Sequence, residues 1–452
     1  MEPKTREQLD LFARSAKPSI RVQPNHRLVR LTHELNWNEL TQIVQGIRRK
    51  KLKSNAGRKP HLRALIGAVV LMATRRMTYR EAEDQIRYYA PARYLCGLTE
   101  CDWTPDFTTI QDFVSLLGPD GMRQLNEYVV KQAVAKGVAN PQVAVADTTA
   151  QEAAIPYPNE VGLMTSFVTA IVAGCRKGHR VLREFLASAD SHIASFAKKA
   201  REYRLFAKTK EAKDRAVAGL SRIVARVQKK LGKALASAPE SFSSRARKLV
   251  RLHATMDKLL PQIRSWLDTG RVARGKVISI HCPELYSIVR GKIGKKVEFG
   301  LKWGILRLAG GYLWSPGPSD KNSNDKRHAV EAVRDHIALF GKAPRIYAYD
   351  RGGYSPANVE AAREQGVKHV AIAPTGRTPW SIGPRIKKRA LKERCRIEGD
   401  IGALKRSRYG FNFPAARSTK MMATIGQRAI LGLNLNKFVR DRANAVGIEI
   451  AG

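Results

Sequence analysis

Two short β-branched runs, PQVAVADTT and RIYAYD, each reach an aspartate, Asp147 and Asp350, across 203 positions of chain. Such runs bounded by turn residues read as buried strands that end on an acid. Half of the intervening chain cannot belong to the same sheet. From Arg176 to Lys276 it is rich in Ala, Lys and Arg, has helical spacing as in LSRIVARVQKKLGKAL, and carries 26 Lys+Arg against 8 Asp+Glu. That stretch reads as an inserted helical hairpin or coiled coil with a basic surface. Strands on both sides of a helical insertion must return to one sheet, and ligand sites in open α/β sheets favour strand ends.

Strand signals resume after the insertion. KVISIHC reads as one strand, and KKVEFGLKWGILRLAGGYLWS as two around a Gly-Gly turn. Ser323 or Asn324 caps the helix DKRHAVEAVRDHIALF, and Gly341 ends it. After RIYAYD, Ser355 is an N-cap with Pro356 at the first helical position, and VKHVAIAP is a further strand. The N-terminal part reads as helical. Thr78 with Glu81, and Thr108 with Gln111, have capping-box spacing. The Arg75-Arg76-Met77 connection joins two helices as a candidate helix-turn-helix, and GRKP from Gly57 to Pro60 has the character of a minor-groove arm.

The expected fold class is therefore α/β: a mixed-sheet domain interrupted by a long helical insertion and preceded by an all-helical domain. The expected boundaries are a flexible arm over 1–25, a helical DNA-binding domain over 26–138, a catalytic domain over 139–175 and 276–440, the basic insertion over 176–275, and a tail over 441–452.

The formal charge of +42 selects the partner. Such an excess draws polyanions by releasing their condensed counterions, so DNA or RNA is the expected ligand, with an anionic membrane surface or a ribosomal-type structural role as the alternatives. Hydrophobic content of 43% excludes a disordered basic tail. The polar start MEPKTREQLD shows no secretory signal, and the apolar run from Ala64 to Ala73 is too short to span a bilayer. A cytoplasmic, nucleoid-associated protein without a membrane partner is expected. The five cysteines form no CxxC pair and read as reduced and buried.

A third acid stands in ALKERCRIEGDIGALKRSRYG. Arg394, Glu398 and Lys405 are spaced by four and seven, so they share one helical stripe, with Asp400 and Glu393 turned away from it. Glu152 follows Asp147 closely and reads as a supporting residue, and Asp335 reads as helix surface. Three carboxylates beside a basic face fit metal-assisted chemistry on a phosphodiester. Mg²⁺ prefers oxygen ligands, and two ions about 3.5–4 Å apart can serve both attacking and leaving oxygens. Arg394 and Lys405 are the expected phosphate contacts, with Lys295, Lys296, Arg75, Arg76 and Arg80 as further basic candidates.

These blocks resemble the DDE transposases of bacterial insertion sequences, specifically the ISNCY-like and IS-five-like group. ADTTAQEAAIPYPNEVGLM resembles the family's first-aspartate block, YSIVRGKIGKKVEFGLKWG the block entering its second strand, YAYDRGGYS the second-aspartate block, and RCRIEGDIGALKRSRYG the glutamate block. In the last, Arg394, Glu398 and Lys405 match the pattern, while Leu391 stands where related families have tyrosine. The resemblance implies an RNase H-like catalytic core and an N-terminal domain that binds terminal inverted repeats. It implies Asp147, Asp350 and Glu398 as ligands of Mg²⁺ or Mn²⁺, two ions per site. It also implies nicking at the element end, followed by attack of the freed 3′-hydroxyl on target DNA by a homodimer or larger assembly. A nuclease or resolvase that cuts without joining, and a domesticated non-catalytic DNA-binding protein, are the alternative readings.

Overall fold

The computed structural model describes residues 22–52, 59–99, 103–237, 244–289, 297–374 and 378–451. Residues 1–21 of the expected arm, Gly57 and Arg58 of GRKP, and Lys295 and Lys296 lie outside the described residues. The described chain is α/β, with fourteen α-helices and one mixed six-stranded sheet.

Six helices precede the sheet: α1 (Arg27–Glu34), α2 (Trp37–Lys51), α3 (Leu62–Thr74), α4 (Tyr79–Tyr88), α5 (Ala90–Cys96) and α6 (Phe107–Ala135). The Thr78–Glu81 capping box opens α4 as its spacing predicts. The start of α6 differs from expectation. Asp106, not Thr108, is the N-cap, and its carboxylate takes both the Thr109 amide and the Thr108 hydroxyl. Gly118 breaks α6 at φ 59°, because the residue before Pro119 is excluded from helical geometry. Helix α3 is buried from Ala64 to Thr74, so any groove contact from the α3–α4 pair comes from α4 alone.

The sheet consists of β1 (Asn140–Glu152), β2 (Tyr286–Val289), β3 (Val297–Ala309), β4 (Tyr312–Trp314), β5 (Ile346–Tyr349) and β6 (His369–Ile372). Its order is β2-β3-β1-β5-β6, with β4 hydrogen-bonded to β3. The β1, β3 and β4 pairings are antiparallel, whereas β5 and β6 run parallel to β1. Gly310 and Gly311 supply the positive φ of the expected β3–β4 turn. Two strand expectations are corrected. First, β1 does not end at Asp147: β3 is long enough to pair with it as far as Glu152. Second, Lys276–Cys282 forms no ladder and bends at Ile280 and His281. Val277 and Ile280 are buried in the insertion while Ile278 and Cys282 are buried against the sheet, so the segment joins two cores.

Between β1 and β2 lie α7 (Glu160–Arg176), α8 (Arg180–Phe206), α9 (Lys210–Ala236) and α10 (Ser244–Thr269). They share a separate core from Val161 to Ile280, with Phe167, Leu220, Val227 and Met256 at its centre. Their Lys and Arg residues face outward, as an amphipathic bundle requires.

Helices α11 (Asp325–Phe340) and α12 (Pro356–Glu364) have the expected caps: Asn324, Gly341 and Ser355. The last two helices are α13 (Pro384–Leu404) and α14 (Thr419–Ala445). Helix α14 is the central strut, buried from Met422 to Leu435 apart from Ile425. Asn434 donates to Asn126 at 2.7 Å and bonds Leu313 through both N–H and C=O groups, which ties α6, β4 and α14 together. Among the described residues no helix is long and apolar enough to cross a membrane.

Candidate functional site

Parallel pairing of β1 and β5 runs Val143↔Ile346, Ala144↔Tyr347, Val145↔Ala348. The ladder stops there, and two residues further along each chain segment stand Asp147, still within β1, and Asp350, just past β5. Side chains alternate across the sheet, so both aspartates project to the face of Val145 and Ala348, against which α13 packs through Ala390, Ile397 and Ile401. Asp350 stands just past β5 and caps the short turn Arg351–Gly353 through the Arg351 amide at 2.7 Å. Asp147 accepts the Thr148 amide, also at 2.7 Å.

Helix α13 brings the third acid. Arg394 Nη1 lies 2.8 Å from Glu398 Oε1, and Nη2 lies 3.3 Å from Asp350 Oδ1. One guanidinium thus gathers the second and third carboxylates, which are 51% and 59% exposed and open to a ligand. The orientation of α13 has a buried cause. Arg307 on β3, 5% exposed, pairs with Asp400 at 2.5 Å and Glu393 at 2.6 Å. Those two acids anchor the underside of the helix, which turns Glu398 and Arg394 outward as their spacing implies.

Lys405 is the C-cap of α13 and half-buried. Leu391 lies two turns before Glu398, 37% exposed. Lys388, Arg389, Lys392 and Arg396 expose further positive charge along α13. Arg80 stacks on Phe107 at 3.9 Å. Arg75 and Arg76 are exposed but lie against the segment after α13: the Arg76 amide donates to the Arg408 carbonyl at 2.7 Å. Burial and then the nearby Arg408, followed by Arg75 and Arg440, hold the Arg27 guanidinium below its ordinary range. This arginine cluster joins residues over 300 positions apart and has no local sequence signal.

Three other residues sharpen or correct the expectations. Glu152 is buried, and its carboxylate accepts from Asn412 at 3.4 Å, on the segment that follows α13. Asp335 is half-buried rather than exposed: partial burial, with Glu331 adding to it, pushes its carboxyl up to about 6. Cys395 is exposed, whereas Cys96, Cys175 and Cys282 are buried thiols as expected. Asp325 and Tyr349 carry no signal in the sequence, yet both stand near the aspartates. A cavity of about 420 Å³ beside Asp147 is lined by Tyr349, Ser319, Arg327 and His328.

The fold and site define a basic, mixed-sheet α/β protein with one acid inside β1, one just past β5 and one on α13. Residues 17–116 match a family model described as a transposase domain (DUF772), which supports a transposase family for this chain and covers part of its helical N-terminal region. No curated protein and no solved structure matches the chain.

Proposed function

We propose that the chain is a DDE-type DNA transposase of the ISNCY-like and IS-five-like group, with Asp147, Asp350 and Glu398 as its catalytic carboxylates. The carrying observation is the Arg394 bridge between Asp350 and Glu398, acids 48 positions apart, beside the parallel β1–β5 ladder that runs toward Asp147 and Asp350. The transposase-domain match to the N-terminal helices supports the same class. The antiparallel meander β1-β3-β4, extended by parallel β5 and β6, supports an RNase H-like core.

Among the described residues no three His, Cys, Asp or Glu side chains already stand together as a metal cluster. The donor set nevertheless fits Mg²⁺ or Mn²⁺, because it is all carboxylate oxygen and two of its members are half-exposed. Asp147, Asp350 and Glu398 would hold the ions. When bound, these ions lower the pKa of an attacking water or 3′-hydroxyl and neutralise charge on the phosphate and leaving oxygen. The chain's own residues do the rest. Arg394 offsets the repulsion between the two exposed carboxylates, and its planar fork is suited to a phosphate. Lys405 extends that phosphate contact at the end of α13. The lysines and arginines along α13, with Arg75, Arg76 and Arg80, track the DNA backbone. Lys295 and Lys296, outside the described residues, are further proposed phosphate contacts. Synapsis of two inverted-repeat ends calls for at least a dimer.

Joining separates this reading from a nuclease. Pre-cut 3′-hydroxyl ends are incubated with supercoiled plasmid and Mg²⁺; joined products are expected. Hydrolysis without joining would favour the nuclease or resolvase, and binding without metal-dependent nicking the non-catalytic alternative.

A further inference from the structure

Asp325, the first residue of α11, has no part in the three-carboxylate reading, yet it touches the elements that carry two of those acids. Its Oδ1 accepts from the Thr148 hydroxyl at 3.0 Å and pairs with Lys302 Nζ at 2.8 Å. Thr148 directly follows Asp147 on β1, and Lys302 lies on β3, 7% exposed. Lys302 Nζ also donates to the Ser323 carbonyl at 2.7 Å, so two acceptors fix its ammonium. The Asp325 Oδ2 faces Gly352 in the turn that Asp350 caps. A Cβ on Gly352 would stand 3.5 Å from Asp325 Oδ2 and 4.0 Å from Asp350 Oδ2. One carboxylate therefore ties Thr148, the residue after Asp147, to Lys302 on β3 and reaches the turn that Asp350 caps.

A second observation comes from beneath the acids. Tyr349 is 2% exposed, and its hydroxyl has no hydrogen-bond partner among the described residues. A buried hydroxyl left without an acceptor or donor is costly and marks a place where a water or ligand belongs. Tyr349 and Asp147 line the same cavity of about 420 Å³, together with Ser319 and His328.

We propose that Asp325, locked by Lys302 and Thr148, is a positioning residue that sets Asp147 and Asp350 for the cation. This rests on the three-carboxylate reading of the cleft. Charge alone and positioning make opposite predictions for Lys302. Removing its positive charge makes the cleft more negative, which by itself tightens cation binding. If Lys302 acts by holding Asp325 in place, removing it loosens the acids and weakens binding.

Mn²⁺ titrations of the full chain, read by the electron paramagnetic resonance of free Mn²⁺, decide between them. Asp325→Asn and Lys302→Met are each expected to weaken Mn²⁺ binding about tenfold, the size typical of residues that orient metal ligands. Asp350→Asn is expected to abolish it. Unchanged or tighter binding in Lys302→Met overturns the proposal while leaving the three-carboxylate site intact. Equal Mn²⁺ binding by the parent chain and Asp350→Asn instead overturns that underlying site. Should Lys302→Met fail to fold, Thr148→Val removes a single hydroxyl from the same network. Weaker Mn²⁺ binding in that variant supports the proposal, and unchanged binding overturns it.

Discussion

Arg307→Ala reaches the proposed site from inside the fold. Arg307 is 5% exposed and pairs with Glu393 at 2.6 Å and Asp400 at 2.5 Å; the two acids are 10% and 29% exposed. Removing the guanidinium strands Glu393 against β3. Breaking a buried ion pair in this way costs about 3–5 kcal/mol. Arg396 still reaches Glu393 Oε1 at 2.6 Å, and Asp400 is partly solvated, which sets the expected loss near the lower end, about 3 kcal/mol. That loss falls on the docking of α13, so local opening is the proper readout in a chain of this size. Hydrogen exchange at Ile397–Leu404 should accelerate roughly 100-fold, since about 1.4 kcal/mol corresponds to tenfold. The double replacement Arg307→Met with Glu393→Met should recover most of the protection, because it leaves no buried charge at Glu393. Exchange that changes less than about threefold in Arg307→Ala would refute the view that this cluster seats the helix.

Three further outcomes follow from particular residues. Gly432→Ala would drive a methyl into the Ala73 carbonyl where α14 crosses α3, and urea unfolding should register a loss of about 2 kcal/mol or more. Asp335 has a folded-state pKa of about 6, above its unfolded value, so its contribution is best below about pH 4 and declines as pH rises through 6. Asp335→Asn should therefore stabilise the protein at pH 7, by at most about 3 kcal/mol before solvent screening reduces it, and have little effect at pH 4 in paired urea titrations. Replacing exposed Lys388, Arg389 and Lys392 with glutamine should lower the slope of log K against log salt for DNA by about one for each phosphate left without its cation. An unchanged slope would remove these side chains from the DNA surface.

Local chemistry was readable from the sequence wherever it decides the outcome. Thr78 with Glu81, Asn324, Gly341, Ser355 and Pro356 satisfy helix ends within a few residues, and each has its expected place. The Glu398 stripe was readable for the same reason: four-residue spacing alone brings Arg394 within 2.8 Å. What escaped depends on partners distant in the chain. The length of β1 beyond Asp147 is set by β3, and KVISIHC lacks a ladder where its side chains are divided between two cores. Arg307 in a strand, Lys302 nearby and Asp325 at a helix start look like routine surface charges; only the fold buries the first two and gives them their partners. Asp335 was misread because helical periodicity locates a stripe without saying what covers it.

Under the proposed function, Asp147, Asp350 and Glu398 form one metal-dependent cleavage site on a DNA-binding protein. Its most direct test compares the parent chain with Asp350→Ala on DNA carrying the element's end, measuring end binding and Mg²⁺-dependent strand nicking in the same samples. Nicking that disappears in the variant while end binding is largely retained is the predicted result. Equal loss of both, or nicking at the parent rate without the Asp350 carboxylate, would contradict the account.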